Sequence, residues 1–360
     1  MRVLFYSPYI PDHLGGGEKH FFDVATTVAT KHEVFIALSE EFISREKINE
    51  ITNKYEQFLN YSLKKITFIS SKLKTGSIYE KLQETSLYDA VYYVTDGSFF
   101  LSMAKKNILH VQIPFTNSLN VWQKIKLASW NVKNTNSQFT KSVIEKSWNT
   151  TINFVHYPLV SLDEISPKKN KEKIILNVGR FFRQLHSKRQ DVLVQLFKKL
   201  VDEYKNETQG WRLVLVGSVE DELYFNQVKD SVGAYPIEIK TTVSRDELVS
   251  LYKTASFYWH ATGFGVDENS NPEKVEHFGI STIEAMAAGC VPIVIKKGGQ
   301  KEILGLPLHD LLWETGEQCV EITKDLITNP DTYKKFQEVS LNQVKKFSKQ
   351  EFEKTLWEMF

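Results

Sequence analysis

The chain has 360 residues, 42% hydrophobic and 25% charged, the balance of an ordinary globular protein of about two domains. That composition excludes a disordered tail protein, a fibrous repeat and a disulfide scaffold. Basic residues number 45 against 44 acidic, a net charge of +1, so no global field draws the chain to nucleic acid and that partner is not expected.

The opening Met1-Arg2-Val3-Leu4-Phe5-Tyr6 breaks at Ser7-Pro8, short of the ~7–15 apolar residues of a secretory leader. No apolar run approaches the ~20 residues of a membrane span. With only Cys290 and Cys319, at no metal-ligand spacing, a reducing, cytoplasmic location is expected.

Short apolar runs alternate with longer helical patterns, the signature of an α/β fold with parallel sheets. Residues 3–6, 33–38, 66–69, 91–94 and 108–113 read as buried strands. After the first comes Gly15-Gly16-Gly17-Glu18, a glycine turn opening a helix over 18–30. It lacks the full G-x-G-x-x-G fingerprint, and a tight strand-to-helix turn alone would use such a triplet. Asp96-Gly97-Ser98 and His110 fall at strand ends of this half, where an acceptor would bind, although a lone histidine is commonly a structural group. Residues 101–150 carry seven lysines against the single acid Glu145. Within them, 119–130 sets Trp122, Ile125 and Leu127 among Lys124 and Lys126. That pattern suits an amphipathic helix with a solvated face, or one lying peripherally on anionic membrane.

Both periodicities break at 162–171, which sets an expected first domain at 1–165 and a second at 166–335. The second series of strands covers 173–178, 213–217, 237–241, 257–259 and 291–295, with helices over 190–203 and 245–252. Gly179-Arg180 ends its first strand, and Lys188 follows. Two cations at the carboxyl end of a parallel strand suit a diphosphate, Arg as a planar fork and Lys as a mobile charge. Arg183 or Arg189 could share the part given to Lys188, and His260 reads as structural. Ser348-Lys349-Gln350-Glu351 has the form of a capping box. The segment 336–360 then presents Leu356, Trp357, Met359 and Phe360, which are expected to pack back on the first domain.

The most specific stretch is Glu276-His277-Phe278-Gly279-Ile280-Ser281-Thr282-Ile283-Glu284, leading through Ala285-Met286-Ala287-Ala288-Gly289 into a buried strand. Gly279 permits close backbone approach, and amides around Gly279, Ile280 and Ser281 at a helix N-terminus favour an anion. Glu276 precedes the helix and Glu284 lies in it, so both can border one cavity. Ser281-x-x-Glu284 also fits a capping box, in which Glu284 would merely satisfy a backbone amide.

This stretch, with Phe264-Gly265-Val266-Asp267-Glu268 and Asn271-Pro272-Glu273 before it, resembles the Glu-x7-Glu donor site of retaining glycosyltransferases of family 4, including mannosyltransferase-like members. The resemblance implies a GT-B fold, two Rossmann-like domains with parallel sheets facing a central cleft. It implies that Glu276 contacts donor-sugar hydroxyls, that Glu284 holds the ribose, and that backbone around Phe278, Gly279, Ile280 and Ser281 meets sugar and diphosphate. Arg180 and Lys188 would stabilise the leaving diphosphate, Gly16 and Gly17 would approach it from the first domain, and His110 would stand near the transfer point. The implied activity is metal-independent, without a cofactor, moving a hexose from GDP-mannose or a UDP-hexose to a hydroxyl of a glycan or lipid-linked glycan acceptor in cell-surface polysaccharide or glycoconjugate synthesis. No Asp-x-Asp metal motif, P-loop or G-x-S-x-G elbow occurs. The same architecture would also serve a nucleotide-sugar epimerase, or a catalytically silent nucleotide-sugar-binding partner subunit.

Overall fold

The computed structural model describes residues 1–12, 14–168 and 170–360; Lys169, inside the expected join, lies outside the described residues. The chain divides into two compact units, one of Met1–Leu159 with Gln350–Phe360, the other of Val160–Lys349. The boundaries differ from the expected 165 and 336. Helix Pro330–Gln343 stays with the second unit because Gln337 donates to the Gly289 carbonyl at 2.7 Å and Gln343 to that of Ile303 at 2.9 Å. Lys171 enters this unit by donating to the carbonyls of Lys253 (3.0 Å) and Ala288 (2.6 Å), its charge set at two helix C-termini, the ends that favour a cation.

The first unit holds seven strands: β1 (Arg2–Tyr6), β2 (Glu33–Leu38), β3 (Ile66–Ser70), β4 (Ala90–Val94), β5 (Lys106–Val111), β6 (Val132–Thr135) and β7 (Phe154–Val155). They form one sheet in the order β3-β2-β1-β4-β5-β6-β7, parallel at every pairing. Nearly every residue of β1, β4 and β5 is buried, as expected of parallel strands covered on both faces. The order reverses between β1 and β4, the switch point of a doubly wound sheet. Strand β6 escapes the hydrophobic pattern because its sequence, Val-Lys-Asn-Thr, is polar. Its buried groups are satisfied inside, Asn134 donating to the Leu109 carbonyl at 3.1 Å and Thr135 to that of Ser137 at 3.1 Å.

The last helix, Lys349–Met359, completes this unit's core: Phe352, Leu356 and Met359 join the cluster around Phe5, Phe21 and Tyr92. Burying such side chains stabilises by about 2 kcal/mol each. Phe360 stacks on Phe5 with ring centroids 6.4 Å apart, and Lys106 binds its carbonyl at 3.0 Å.

The second unit contributes β8 (Glu172–Val178), β9 (Arg212–Val216), β10 (Ile237–Lys240), β11 (Ala255–His260), β12 (Val291–Ile295) and β13 (Leu312–Trp313). This sheet runs β10-β9-β8-β11-β12-β13, again all parallel, with its switch point between β8 and β11. Asn177 of β8 crosses that point to donate to the Trp259 carbonyl at 2.9 Å. The two architectures match the expected pair of parallel-sheet α/β domains.

Three histidines lie together inside the first unit. His20 packs on His110 and His156 with ring centroids 4.5 and 5.1 Å apart. His110 Nδ1–H donates to Asn134 Oδ1 at 2.6 Å and His156 Nε2–H to the Phe352 carbonyl at 3.1 Å. Burial pushes His110 down to about 4 and, helped by His110, His156 down to about 3; burial and both neighbours hold His20 well below its usual value. Unfolded histidine titrates near 6.5, so the unfolded chain binds more protons as pH falls from about 6.5 to about 4, and stability is lost across that window. Among the described residues, neither ring nitrogen of His20 has a hydrogen-bond partner. His20→Phe should therefore shrink the drop in melting temperature between pH 7.5 and pH 5, each recovered kcal/mol raising the pH 5 value by about 2–4 °C. Calorimetry at the two pH values checks this; an undiminished drop would contradict it.

Candidate active site

Beyond the carboxyl ends of β8 and β11, the chain gathers a compact polar cluster. Glu276 Oε2 accepts from Lys188 Nζ and, at 3.0 Å, from His260 Nε2–H at the last position of β11. Both members of the ion pair are largely buried. Burial is the largest influence on Glu276 and pushes its carboxyl up. Lys188, the His260 hydrogen bond and nearby His186 outweigh it and hold the group well below the usual carboxylate range. Burial first, then Lys188, takes His186 down to about 3, and burial also keeps His260 below its ordinary value despite Glu276. The cluster is thus a carboxylate and an ammonium flanked by neutral imidazoles. His260, read from sequence as structural, is a direct partner of Glu276, a tertiary contact across 16 residues that no local pattern signals.

The loop carrying Glu276 is held by backbone. Gly299 N–H donates to the Glu276 carbonyl at 2.8 Å, and Gly298 N–H to Glu268 Oε2 at 2.7 Å. Gly298 has φ +55°, and a Cβ there would lie 2.1 Å from the Glu276 carbonyl oxygen. Gly279 turns the chain into the helix Ile280–Ala287 at φ +125°, where a Cβ would meet the Gln300 amide at 2.3 Å. The paired glycines 298 and 299 were not singled out from sequence; the Gly-Gly after a buried strand was the available signal.

The capping-box reading of Glu284 is corrected. The N-cap is Gly279, no side chain among the described residues caps this helix end, and Ser281 is the helix's second residue. Ser281 Oγ instead accepts from the Tyr258 hydroxyl at 2.8 Å, while Glu284 Oε1 accepts from Arg245 at 2.7 Å. Ile280 lies beside Ser281 in that first turn, and the Phe278 ring is buried against Phe347 while its backbone packs on Gly299.

Arg180 follows β8 and donates from Nη1 alone to both oxygens of Glu220 at 3.0 and 3.1 Å, an exposed pair. The stem of Lys188 lies across Gly179. Arg183 and Arg189, the alternatives to Lys188, make contacts away from Glu276. Arg183 binds Gln227, and Arg189 is spent on Asp191 at 3.0 Å and the Phe264 carbonyl at 2.6 Å.

Gly16, Gly17 and His110 belong to the first unit. Gly16 and Gly17 open the helix Gly16–Val28 after β1, with the Gln112 amide packed over Gly17. His110 is fully buried among His20, Tyr92 and Asn134. The ring expected near a transfer point thus lies enclosed within the first unit. Asp96 closes its own turn, accepting from Ser98 N–H at 3.0 Å and Ser98 Oγ at 2.6 Å.

A family model described as "Glycosyl transferases group 1" matches residues 161–342. A GDP-Man:Man(3)GlcNAc(2)-PP-Dol alpha-1,2-mannosyltransferase of Neurospora crassa is 28% identical over 203 residues, 48% of this chain and 34% of its own length. The chain thus spans about a third of the length of the curated relatives it matches. Among solved structures, a glycosyltransferase from Rickettsia africae superposes with a TM-score of 0.70 at 16% identity, over 99% of this chain and 96% of that one. Anabaena HepE in complex with UDP gives 0.71 at 13% identity, over 99% of both chains. These two likenesses establish the fold.

The hold on Glu276 depends on Gly298. Gly298→Ala places a methyl group against a backbone carbonyl at positive φ, a strain of about 1–3 kcal/mol before any relaxation. Urea unfolding should show that loss, and Gly265→Ala, at φ +77° with nothing within 4 Å of its Cβ, should show a smaller one. Equal losses would mean the contact with Glu276 carries no energy.

Proposed function

Because the chain belongs to the group 1 glycosyl transferases, we propose that it is a retaining member of family 4, with Glu276 and Glu284 as its Glu-x7-Glu pair, moving mannose from GDP-mannose to a hydroxyl of a lipid-linked glycan. A UDP-hexose is the second choice of donor. The observation that carries the reading is the buried Lys188–Glu276–His260 cluster at the switch point of the second sheet, where doubly wound folds bind ligands. The Neurospora relative's name gives the donor and the acceptor class.

In this reading the Glu276 carboxylate, kept ionised by its cationic and imidazole neighbours, accepts hydrogen bonds from sugar hydroxyls. Glu284, oriented by Arg245, accepts from the ribose. Arg180 can exchange Glu220 for phosphate oxygens cheaply, since an exposed ion pair is worth only about 0–1 kcal/mol. Lys188 and the uncapped start of the helix Ile280–Ala287 add positive potential where charge develops on the departing diphosphate, without a metal. The bond from the sugar's anomeric carbon to the phosphate oxygen breaks, and the acceptor oxygen attacks that carbon on the same face. The acceptor's proton passes to the departing phosphate, which leaves Glu276 no covalent part. Gly16 and Gly17 are assigned to donor binding in the same proposal. The two unpaired, buried cysteines suit a cytoplasmic site of action.

GDP-mannose should raise the melting temperature more than UDP-glucose does, because a ligand that binds only the folded state stabilises it. Glu276→Gln and Arg180→Ala should each lower transfer at least ~100-fold with the fold retained. Near-normal turnover in either variant, or a glycosyl adduct trapped on Glu276, would overturn the assignment.

A further inference from the structure

We propose that the second unit carries, besides the Glu276 cluster, a binding site for a negatively charged monosaccharide, a sugar phosphate or a sugar acid. A cavity of about 380 Å³ is lined by the segment 183–191, the helix Glu222–Ser231 and the loop 263–274. Small-molecule sites commonly span about 300–1,000 Å³. Ser187 and Arg189 line the cavity, but Lys188 between them does not; nor do Arg180, Glu276 and Glu284, the side chains proposed for the donor.

Charge selects the ligand. Arg183, Arg189 and Lys274 line the cavity with one acid, Asp191. Asp191 is already engaged, Oδ1 accepting from Arg189 Nε and the Tyr224 hydroxyl, each at 3.0 Å, and Oδ2 from Arg189 Nη2 at 3.1 Å. Arg189 and Asp191 therefore cancel. Arg183 and Lys274, both exposed, donate instead to neutral amide oxygens, Arg183 to Gln227 and Lys274 to Asn271 at 3.0 Å. Among the described residues neither forms an ion pair. A phosphate or carboxylate that replaces those amides turns neutral-acceptor bonds into charge-assisted ones, about twice as strong. The Gln227 amide N–H groups can then meet a ligand hydroxyl, and the half-buried Phe264 and exposed Leu185 offer apolar faces to the C–H side of a sugar ring.

Backbone conformation marks the same wall. Apart from glycines and two asparagines, Leu185 (φ +51°) and Arg189 (φ +52°) are the two described residues in the left-handed region, and both line the cavity. Such a conformation disfavours a bulky side chain and tends to persist at ligand clamps. Leu185 is 59% exposed, so no core contact offsets it.

The site does not depend on the transfer reading. The test is calorimetric titration of the full chain, with and without saturating GDP, by glucose 6-phosphate, glucuronate, glucose and inorganic phosphate. At least one of the two charged sugars should bind at least ~10-fold more tightly than glucose and than inorganic phosphate, and the tighter of the two identifies the charged group. GDP should leave that affinity unchanged, and so should Arg180→Ala. Arg183→Ala/Lys274→Ala should weaken it at least ~10-fold, with the melting temperature retained because both side chains are exposed. Equal affinity for charged sugar, glucose and phosphate, displacement by GDP, or undiminished binding by the doubly substituted chain would overturn the proposal. If GDP itself does not bind while the charged sugar does, the donor reading falls and this site stands.

Discussion

A carboxylate largely withdrawn from water is the constraint on which the second unit's architecture depends. Taking an ion out of water costs several kcal/mol after relaxation, and the cost is met only if its oxygens are paired and hydrogen-bonded. Glu276 meets that condition through Lys188, which reaches it from the segment after β8, and His260, which ends β11. Two adjacent strands and the loop between β11 and the helix Ile280–Ala287 therefore converge on one oxygen atom. The glycines around the loop follow from the same demand. Gly298 and Gly299 bring a backbone against the Glu276 carbonyl, and Gly279 lets the Gln300 amide close over the helix start. Gln300 in turn accepts from Thr282 at 2.9 Å, so the helix start is tied to the following strand-to-helix loop.

The first unit handles buried polarity in the opposite way. Its three interior histidines are kept neutral, and one of them donates to the backbone of the terminal helix. That helix brings Phe352, Leu356 and Met359 to a core whose strands come from the far end of the chain. Closure is thus shared between apolar area and two directional bonds, from His156 to the Phe352 carbonyl near the helix start and from Lys106 to the Phe360 carbonyl at its end. The acid sensitivity of the unit and its dependence on the last eleven residues have a common structural source.

Much of the architecture was legible because parallel strands buried on both faces read as continuous apolar runs. The strands β1, β2, β4, β8 and β12 fall where such runs occur. The helix Gln190–Glu203 was equally clear from its periodicity. What escaped was short or polar: β6 with Asn134 and Thr135 inward, and the two-residue β7 and β13, which owe their pairing to neighbouring strands rather than to their own sequence. At the candidate site the chemical identities were visible, but their pairings were not. Glu276, Glu284, Arg180 and Lys188 stand out by residue type and spacing. Their partners His260, Arg245 and Glu220 lie 16, 39 and 40 residues away along the chain, Lys188 and Glu276 lie 88 apart, and only the fold joins them. His110 shows the converse: its position at a strand end suggested chemistry, while the sheet encloses it completely.

The three cation–carboxylate pairs differ in a way that bears on how the proposed donor would be held. Arg180–Glu220 is exposed on both sides, Arg245–Glu284 joins a half-exposed arginine to a largely buried acid, and Lys188–Glu276 is largely buried on both. The energy needed to part such a pair rises along that series, from about 0–1 kcal/mol in water to several when one buried charge is left alone. A diphosphate can therefore take Arg180 from Glu220 with little loss. Lys188 is different: it can add to the field around the phosphate while remaining beside Glu276, because an ammonium has three protons and Glu276 engages only part of that capacity. Moving it away would strand the carboxylate and forfeit the orientation proposed for gripping the sugar. The arginine is the arm that can move, and the lysine is the fixed post.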